Sequence, residues 1–258
     1  MSLIKRILTP SKSPSVPRGV RVYAIGDIHG RSDLLRQLLA KVEHDQRENK
    51  VRRSIFVFLG DYIDRGPGSS DVLDRLIALR RSDAIEAYFL MGNHEEVLLR
   101  ILAGDTAIYR DWVRFGGREC LLSYGITEEE LDQSDVTKMP ARIRALIRRS
   151  HRAFLSDLAD TVRVGDYLFV HAGLRPGLSL SAQSQDDMRW IRSPFLDNED
   201  ADYGYTVVHG HTISDNVVWK RNRIGIDTGA YASGKLTALV LEGSDRRLIQ
   251  TDGVPDQP

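Results

Sequence analysis

The chain has 258 residues, 41% of them apolar, with 36 basic side chains balanced by 36 acidic ones. That length predicts one sizeable domain with a real core, and the balanced charge excludes a bulk field that would draw nucleic acid or an anionic membrane. The single cysteine, Cys120, excludes an intrachain disulfide and suits a reducing compartment, and no apolar run is long enough for a membrane-spanning helix.

The opening stretch MSLIKRILTPSKSPSVPRG is basic, and its apolar part is too short and interrupted for a signal peptide. A loose arm is expected to about Arg18, then one domain over 19–251 and a tail over 252–258, in a cytoplasmic protein. VYAI reads as a short buried strand, GDIHG as a turn, and RSDLLRQLLAKV as a helix with Leu34, Leu35, Leu38 and Leu39 on one face. The pattern repeats. SIFVF runs into LGDYIDRG and the helix SSDVLDRLIALRR, and AIEAYFLM runs into GNHEE and the helix EEVLLRILAG. Alternating strands and helices imply βαβ units and a mainly parallel sheet, so the fold class is α/β.

From about Val97 to Leu158 no strand is evident, and the region reads as a helical insertion. Pro140 suits a helix start. Ala145, Leu146, Ile147 and Phe154 form an imperfect apolar face opposite Arg142, Arg144, Arg148, Arg149 and Arg152. Those arginines are either a solvated helix face or a groove for an acidic substrate. Strands resume with DYLFVHAGL and YTVVHGHT, and NRIGIDTGAY and KLTALVLEG read as closing strands.

Five of the apolar runs end in metal-capable side chains: Asp27 and His29; Asp61 and Asp64; Asn93 and His94; His171; and His209 with His211. An Asp or His at one strand end is commonplace, but five such ends in one chain are not. In open α/β sheets, sites form beyond the carboxyl ends of the strands, where all five would converge. Carboxylates, an amide and imidazoles, with no cysteine, suit divalent Mn²⁺, Fe²⁺ or Zn²⁺ better than a thiolate zinc site. Two such ions roughly 3.5–4 Å apart can activate a shared water and clamp a phosphoryl oxygen.

GDIHG, GDYIDRG, GNHE, HAG and HGHT also resemble the metal motifs of metallophosphoesterases. More narrowly, the DRG after GDYI is similar to the phosphoprotein phosphatase family, which includes bacterial and phage Ser/Thr protein phosphatases. The resemblance runs from Gly26 to Thr212. It implies a β-sandwich flanked by helices, an α+β arrangement in which the later strands build the second sheet. It implies two divalent ions, with Mn²⁺ the first choice and Fe²⁺, Zn²⁺ or Ni²⁺ as alternatives. Asp27, His29 and Asp61 would hold one, and Asp61, Asn93, His171 and His211 the other, with His209 as the alternative to His211. His94 would be the general acid, oriented by Asp64, and Arg65 would grip the phosphate. A second phosphate-binding arginine is expected between His171 and His211, where DDMRWIRSPF supplies Arg189 and Arg192; Arg192 is preferred. The stretch WVRFGGRECLLSYG departs from the eukaryotic members and looks like an insertion of bacterial relatives.

The reading is a metal-dependent phosphomonoester hydrolase of the protein Ser/Thr phosphatase kind, in which a hydroxide bridging the metals attacks phosphorus. Its substrate would be a phosphorylated protein or a small phosphorylated molecule, with no membrane and no specific nucleic acid as partner. The rival enzyme is a symmetrical dinucleoside tetraphosphate hydrolase. The rival of another class is a metal-binding scaffold without catalysis, against which the intact His94, Asp64 and Arg65 argue.

Overall fold

The first apolar run is strand β1 (Val20–Ile25), buried along its whole length. Helix α1 (Ser32–Glu48), β2 (Arg53–Phe58), α2 (Ser69–Arg80), β3 (Glu86–Phe89) and α3 (Asn93–Leu102) follow in the order the sequence predicts. The computed structural model describes residues 13–253. β1, β2 and β3 are parallel neighbours, with Val22 opposite Ile55 and Val57 opposite Tyr88.

Five short helices make up most of the insertion: α4 (Tyr109–Trp112), α5 (Arg118–Ser123), α6 (Glu128–Asp132), α7 (Met139–Leu146) and α8 (Arg149–Leu155). A π-turn over Val113–Gly117 joins α4 to α5. The single helix that PARIRALIRRSHRAFLSDL suggests is broken, because Ile147 and Arg148 adopt extended backbone. The inward face is Met139, Ile143, Ile147, His151, Phe154 and Leu155, whereas Ala145 is exposed.

The chain then forms β4 (Thr161–Val164), β5 (Tyr167–Val170), α9 (Gln185–Trp190), β6 (Thr206–His209), β7 (Val218–Trp219) and β8 (Arg223–Gly225). These five strands are the second sheet, in the order β4-β5-β6-β8-β7. The short helix α10 (Ala230–Ser233) leads to β9 (Thr237–Glu242) and β10 (Asp245–Gln250). Here the expectation for the later strands is corrected: β9 and β10 return to the first sheet, whose order is β10-β9-β1-β2-β3. β9 lies antiparallel to β1, with Val22 opposite Leu241, and so covers the edge of a strand too apolar to face water.

Period-two alternation divides the strand residues between layers. Val22, Ala24, Ile55 and Val57 face Tyr167, Phe169, Val208 and Ile224 across the sandwich. Tyr23, Ile25, Phe56 and Phe58 point the other way, into a core with the α1–α3 and insertion helices. Leu168, Val170 and Val207 pack outward against Met188, Ile191 and Phe195. The arm expected to Arg18 is tied down earlier. Val16 is buried and donates its N–H to Gly243, and Tyr167 donates its hydroxyl hydrogen to the Pro14 carbonyl. The rest of the expected arm, 1–12, and positions 254–258 of the expected tail lie outside the described residues.

Candidate dinuclear metal centre

Each sheet has three parallel strands side by side: β1, β2 and β3 in one, β5, β6 and β8 in the other. Every one of the six delivers a polar side chain just past its carboxyl end: Asp27, Asp61 and Asn93, then His171, His211 and Asp227. The loops are tightly wound. His29, Asp61, Asp64, Arg65 and His211 all have positive φ, between 46° and 72°. Each such residue costs about 1–3 kcal/mol. Glu95, in the first turn of α3, steadies the loop that carries Asp61. Its carboxylate accepts the backbone N–H groups of Asp61 (2.9 Å), Tyr62 (2.7 Å), Ile63 (3.3 Å) and Gly92 (3.1 Å). Burial and the neighbouring Asp61 push the Glu95 pKa up to about 8, so each bond is closer to the ordinary contribution of about 1 kcal/mol, and the four together can still hold the GDYID loop. Gly92 has to be glycine, because a Cβ there would stand 2.2 Å from Asp61 Oδ1.

Two groups of buried side chains gather potential ligand atoms within 4.8 Å of one another: His29, Asp61 and His94; and Asp61, His171 and His211. Asp61 is common to both and turns one oxygen to each. Oδ2 is 3.5 Å from His29 Nε2, and Oδ1 is 3.5 Å from His171 Nε2. Burial opposes the Asp61 charge, but His171, His94 and His29, charged in the strongly acid range where Asp61 would take up a proton, outweigh burial and hold its carboxyl far below the usual range.

These atoms fit divalent cations. His29 Nδ1 donates to the Ile63 carbonyl at 2.9 Å and His171 Nδ1 to the Leu59 carbonyl at 2.8 Å, so each Nε2 is left as a lone pair facing the cluster. His171 Nε2 and His211 Nδ1 both lie 3.0 Å from Asn93 Oδ1. Burial keeps His29 and His171 neutral and pushes His211 down to about 3. Lone pairs from imidazoles, an amide and a carboxylate therefore converge with no proton to spare, and a cation among them relieves their repulsion.

Asp27 lies outside both groups. Its carboxylate accepts the His211 N–H at 3.0 Å. Burial, Asp227 and Asp61 raise its pKa well above the ordinary value, and burial raises that of Asp227 to about 6. Cations in the cluster would return both to anions. Sequence reasoning missed Asp227. Its signal was available, since GID in NRIGIDTG repeats the apolar-run-then-Asp pattern of AIGD and FLGD.

His94 belongs to the first group, but its ring is also tied to a carboxylate outside it. Its Nδ1 donates to Asp64 Oδ2 at 2.6 Å, and its Nε2 lies 4.0 Å from Asp61 Oδ2. Burial disfavours charge on His94, but Asp61 and the Asp64 hydrogen bond outweigh it and raise the pKa to about 9. Arg65 reaches His94 Nε2 at 3.3 Å and rests its guanidinium 4.7 Å above the Tyr231 ring. A cleft of about 460 Å³ opens here, walled by Arg65, His94, Trp112, Phe115, Trp190 and Arg192.

The structure separates the two candidate arginines. Arg189 is neutralised by Asp160 at 2.7 Å and Glu96 at 3.3 Å. Arg192 lines the cleft and forms no side-chain ion pair or hydrogen bond among the described residues. His209 is buried away from the cluster, its ring edge-on to Phe195 and its Nδ1 donating to the Gly210 carbonyl. The insertion arginines divide as well. Arg142 pairs with Glu130 and Arg148 with Asp74, while Arg144, Arg149 and Arg152 border a separate groove that contains no metal-group residue.

Comparison with known proteins gives the family and the fold. Residues 20–227 match the calcineurin-like phosphoesterase family. The chain is 30% identical over 236 residues to an asymmetrical bis(5'-nucleosyl)-tetraphosphatase of Anoxybacillus flavithermus, covering 83% of this chain and 88% of that one. It is 26% identical to serine/threonine-protein phosphatase 2 of Escherichia coli, covering 84% and 90%. A protein serine/threonine phosphatase structure from Saccharomyces cerevisiae superposes with a TM-score of 0.56 at 15% identity, covering 95% of this chain and 86% of that one, which shows likeness of fold.

Proposed function

Because this chain belongs to the calcineurin-like phosphoesterase family, we propose that it hydrolyses phosphomonoesters, first among them seryl and threonyl phosphates on proteins. The observation that supports this reading is the 2.6 Å pairing of His94 with Asp64 at the wall of an arginine-lined cleft. An alkoxide leaving group needs a proton, and a charged imidazole fixed by a carboxylate can supply one. Two divalent ions would be held by Asp27, His29 and Asp61 on one side and by Asp61, Asn93, His171 and His211 on the other. When bound they would supply Lewis acidity and lower the pKa of a water molecule. Mn²⁺ is the first choice on the family resemblance, and the imidazole-rich donor set equally suits Fe²⁺, Zn²⁺ or Ni²⁺.

The chain's own groups do the rest. Arg65 and Arg192 bind the phosphoryl oxygens from two walls of the cleft, a role for which a guanidinium is shaped. His94 gives its Nε2 proton to the departing oxygen, and Asp64 keeps the ring turned toward it. No helix among the described residues is long and apolar enough to cross a membrane, and the cysteine-poor composition suits the cytoplasm as its location. A second reading, hydrolysis of dinucleoside tetraphosphates, is supported by Phe115 and Trp190. Their rings, 66% and 38% exposed, line the same cleft and could stack on a base.

The test is turnover of phosphoserine, phosphothreonine and phosphotyrosine peptides against diadenosine tetraphosphate, with each of Mn²⁺, Ni²⁺, Fe²⁺ and Zn²⁺ and with chelator. Preference for the phosphopeptides, abolished by chelation, is expected. Preference for the tetraphosphate would move the assignment to the second reading. Stoichiometric metal with no turnover of any substrate would make the protein a scaffold.

A further inference from the structure

The helical insertion touches the acid side of the site at two consecutive residues, and from this we infer that Trp112 is a positioning residue: it holds Asp64, and through Asp64 the ring of His94, in the proton-donating geometry. The inference rests on the reading of His94 as general acid.

Asp64 is wholly buried, and with Arg65 it forms a pair of left-handed residues, φ 72° and 65°. Such a pair does not hold itself in place. Asp64 N–H donates to Ser69 Oγ at 3.0 Å, which fixes its backbone but not its carboxylate. The carboxylate is fixed by its Oδ2, which accepts both His94 Nδ1–H at 2.6 Å and Trp112 Nε1–H at 2.8 Å. Without the indole, the Asp64–His94 pair could swing as a unit. With it, the same carboxylate oxygen is held by a second donor besides His94.

The indole is itself held. Trp112 is buried, Tyr109 lies beside it with ring centroids 6.2 Å apart, and Gly117 packs so close that a Cβ there would fall 2.3 Å from the ring. The π-turn between them closes on the neighbouring residue. Gly116 accepts the Arg65 N–H through its carbonyl at 3.0 Å, and a Cβ on Gly116 would meet Arg65 Cγ and N at 2.6 Å. The W-x-x-x-G-G spacing thus places an N–H donor on Asp64 and a carbonyl on Arg65 from one turn. The insertion serves the chemistry, not only the cover of the first sheet.

Trp112→Phe keeps the ring packing and deletes only the donor. It should retain wild-type metal content and thermal stability close to wild type. It should lose about tenfold in kcat on a phosphoserine peptide, the scale of one charge-assisted hydrogen bond, and no more than about threefold on p-nitrophenyl phosphate, whose leaving group needs little protonation. In a His94→Asn background, Trp112→Phe should change kcat by less than about twofold, since the group it acts through is gone. Equal loss on both substrates, an undiminished effect in the His94→Asn background, or no loss at all would overturn the positioning role. His94→Asn alone reports on the underlying reading. If its loss ignores leaving-group basicity, the general-acid assignment fails. If its loss follows basicity and that of Trp112→Phe does not, only the present inference fails.

Discussion

The first sheet sends Asp27, His29, Asp61, Asp64, Arg65, Asn93 and His94 to the centre, and the second sends His171, His211 and Asp227. The first sheet's loops are contorted, with four non-glycine residues at positive φ, and they depend on groups from elsewhere: the Glu95 carboxylate on four backbone N–H groups and the insertion on Asp64 and Arg65. The second sheet has only His211 in that conformation. His171 follows β5 directly and is pinned by the Leu59 carbonyl of the opposite sheet. One half of the centre is therefore built from strained loops with external support, the other from strand ends braced across the sandwich. Asp61 joins them, with one oxygen facing each half.

The largest expected effect is on that joint. Asp61→Asn should lower turnover by about 10³-fold or more, because both metal groups lose the carboxylate they share and each ion is worth several kcal/mol. Metal analysis should show reduced occupancy at both positions. Near wild-type turnover at the wild-type metal requirement would show that Asp61 does not join the halves. His171→Asn sharpens the comparison by disturbing the second sheet's half alone. Bound metal should fall from two ions toward one, with the Asp27–His29–Asp61 side still occupied; loss of both ions would mean that the halves do not fill independently.

A smaller effect is expected at the cleft wall. Arg192→Ala should cost tens-fold to over a hundredfold in kcat/KM with both metals retained, as for loss of a charge-assisted contact to phosphate. Arg189→Ala should act chiefly on stability, since its partners are Asp160 and Glu96. The reverse pattern would exchange the two roles.

The smallest effect on turnover is expected at His209. Burial lowers its pKa to about 4. As pH falls from 6.5 toward 4, the unfolded chain binds a proton that the native state refuses, so stability drops by up to about 3 kcal/mol at the acid end. His209→Gln removes this contribution. Its denaturant midpoint should therefore fall less steeply over that range than the wild-type midpoint. Parallel curves for the two proteins would show that His209 is not held neutral in the fold.

Much of the centre was legible because its residues sit at fixed offsets from apolar runs. Asp27, Asp61, Asn93, His171 and His211 each follow a run that reads as a strand, and parallel strands place their carboxyl ends together. Glu95 and Trp112 were not legible in their roles. Glu95 serves a loop 34 residues earlier, and Trp112 lies 48 residues from Asp64, so nothing local ties either to its partner. The choice between Arg189 and Arg192 was open for a similar reason. Asp160 and Glu96, which neutralise Arg189, are distant in sequence, while the nearby Asp187 pairs with Arg175 instead.

By itself, the sequence determined the strand–loop–helix rhythm, the helical character of 97–158 and the kinds of ligand at each strand end. Those follow from local backbone preference and from the period of apolar residues, which nearby positions alone set. Only the tertiary structure decided that β9 and β10 return to the first sheet, that Asp160 and Glu96 neutralise Arg189 while Arg192 lines the cleft, and that the insertion closes on Asp64 and Arg65. Each of these is a contact between segments far apart in the chain. Such contacts are selected by which apolar faces and unpaired backbone groups remain to be covered once the local elements have formed.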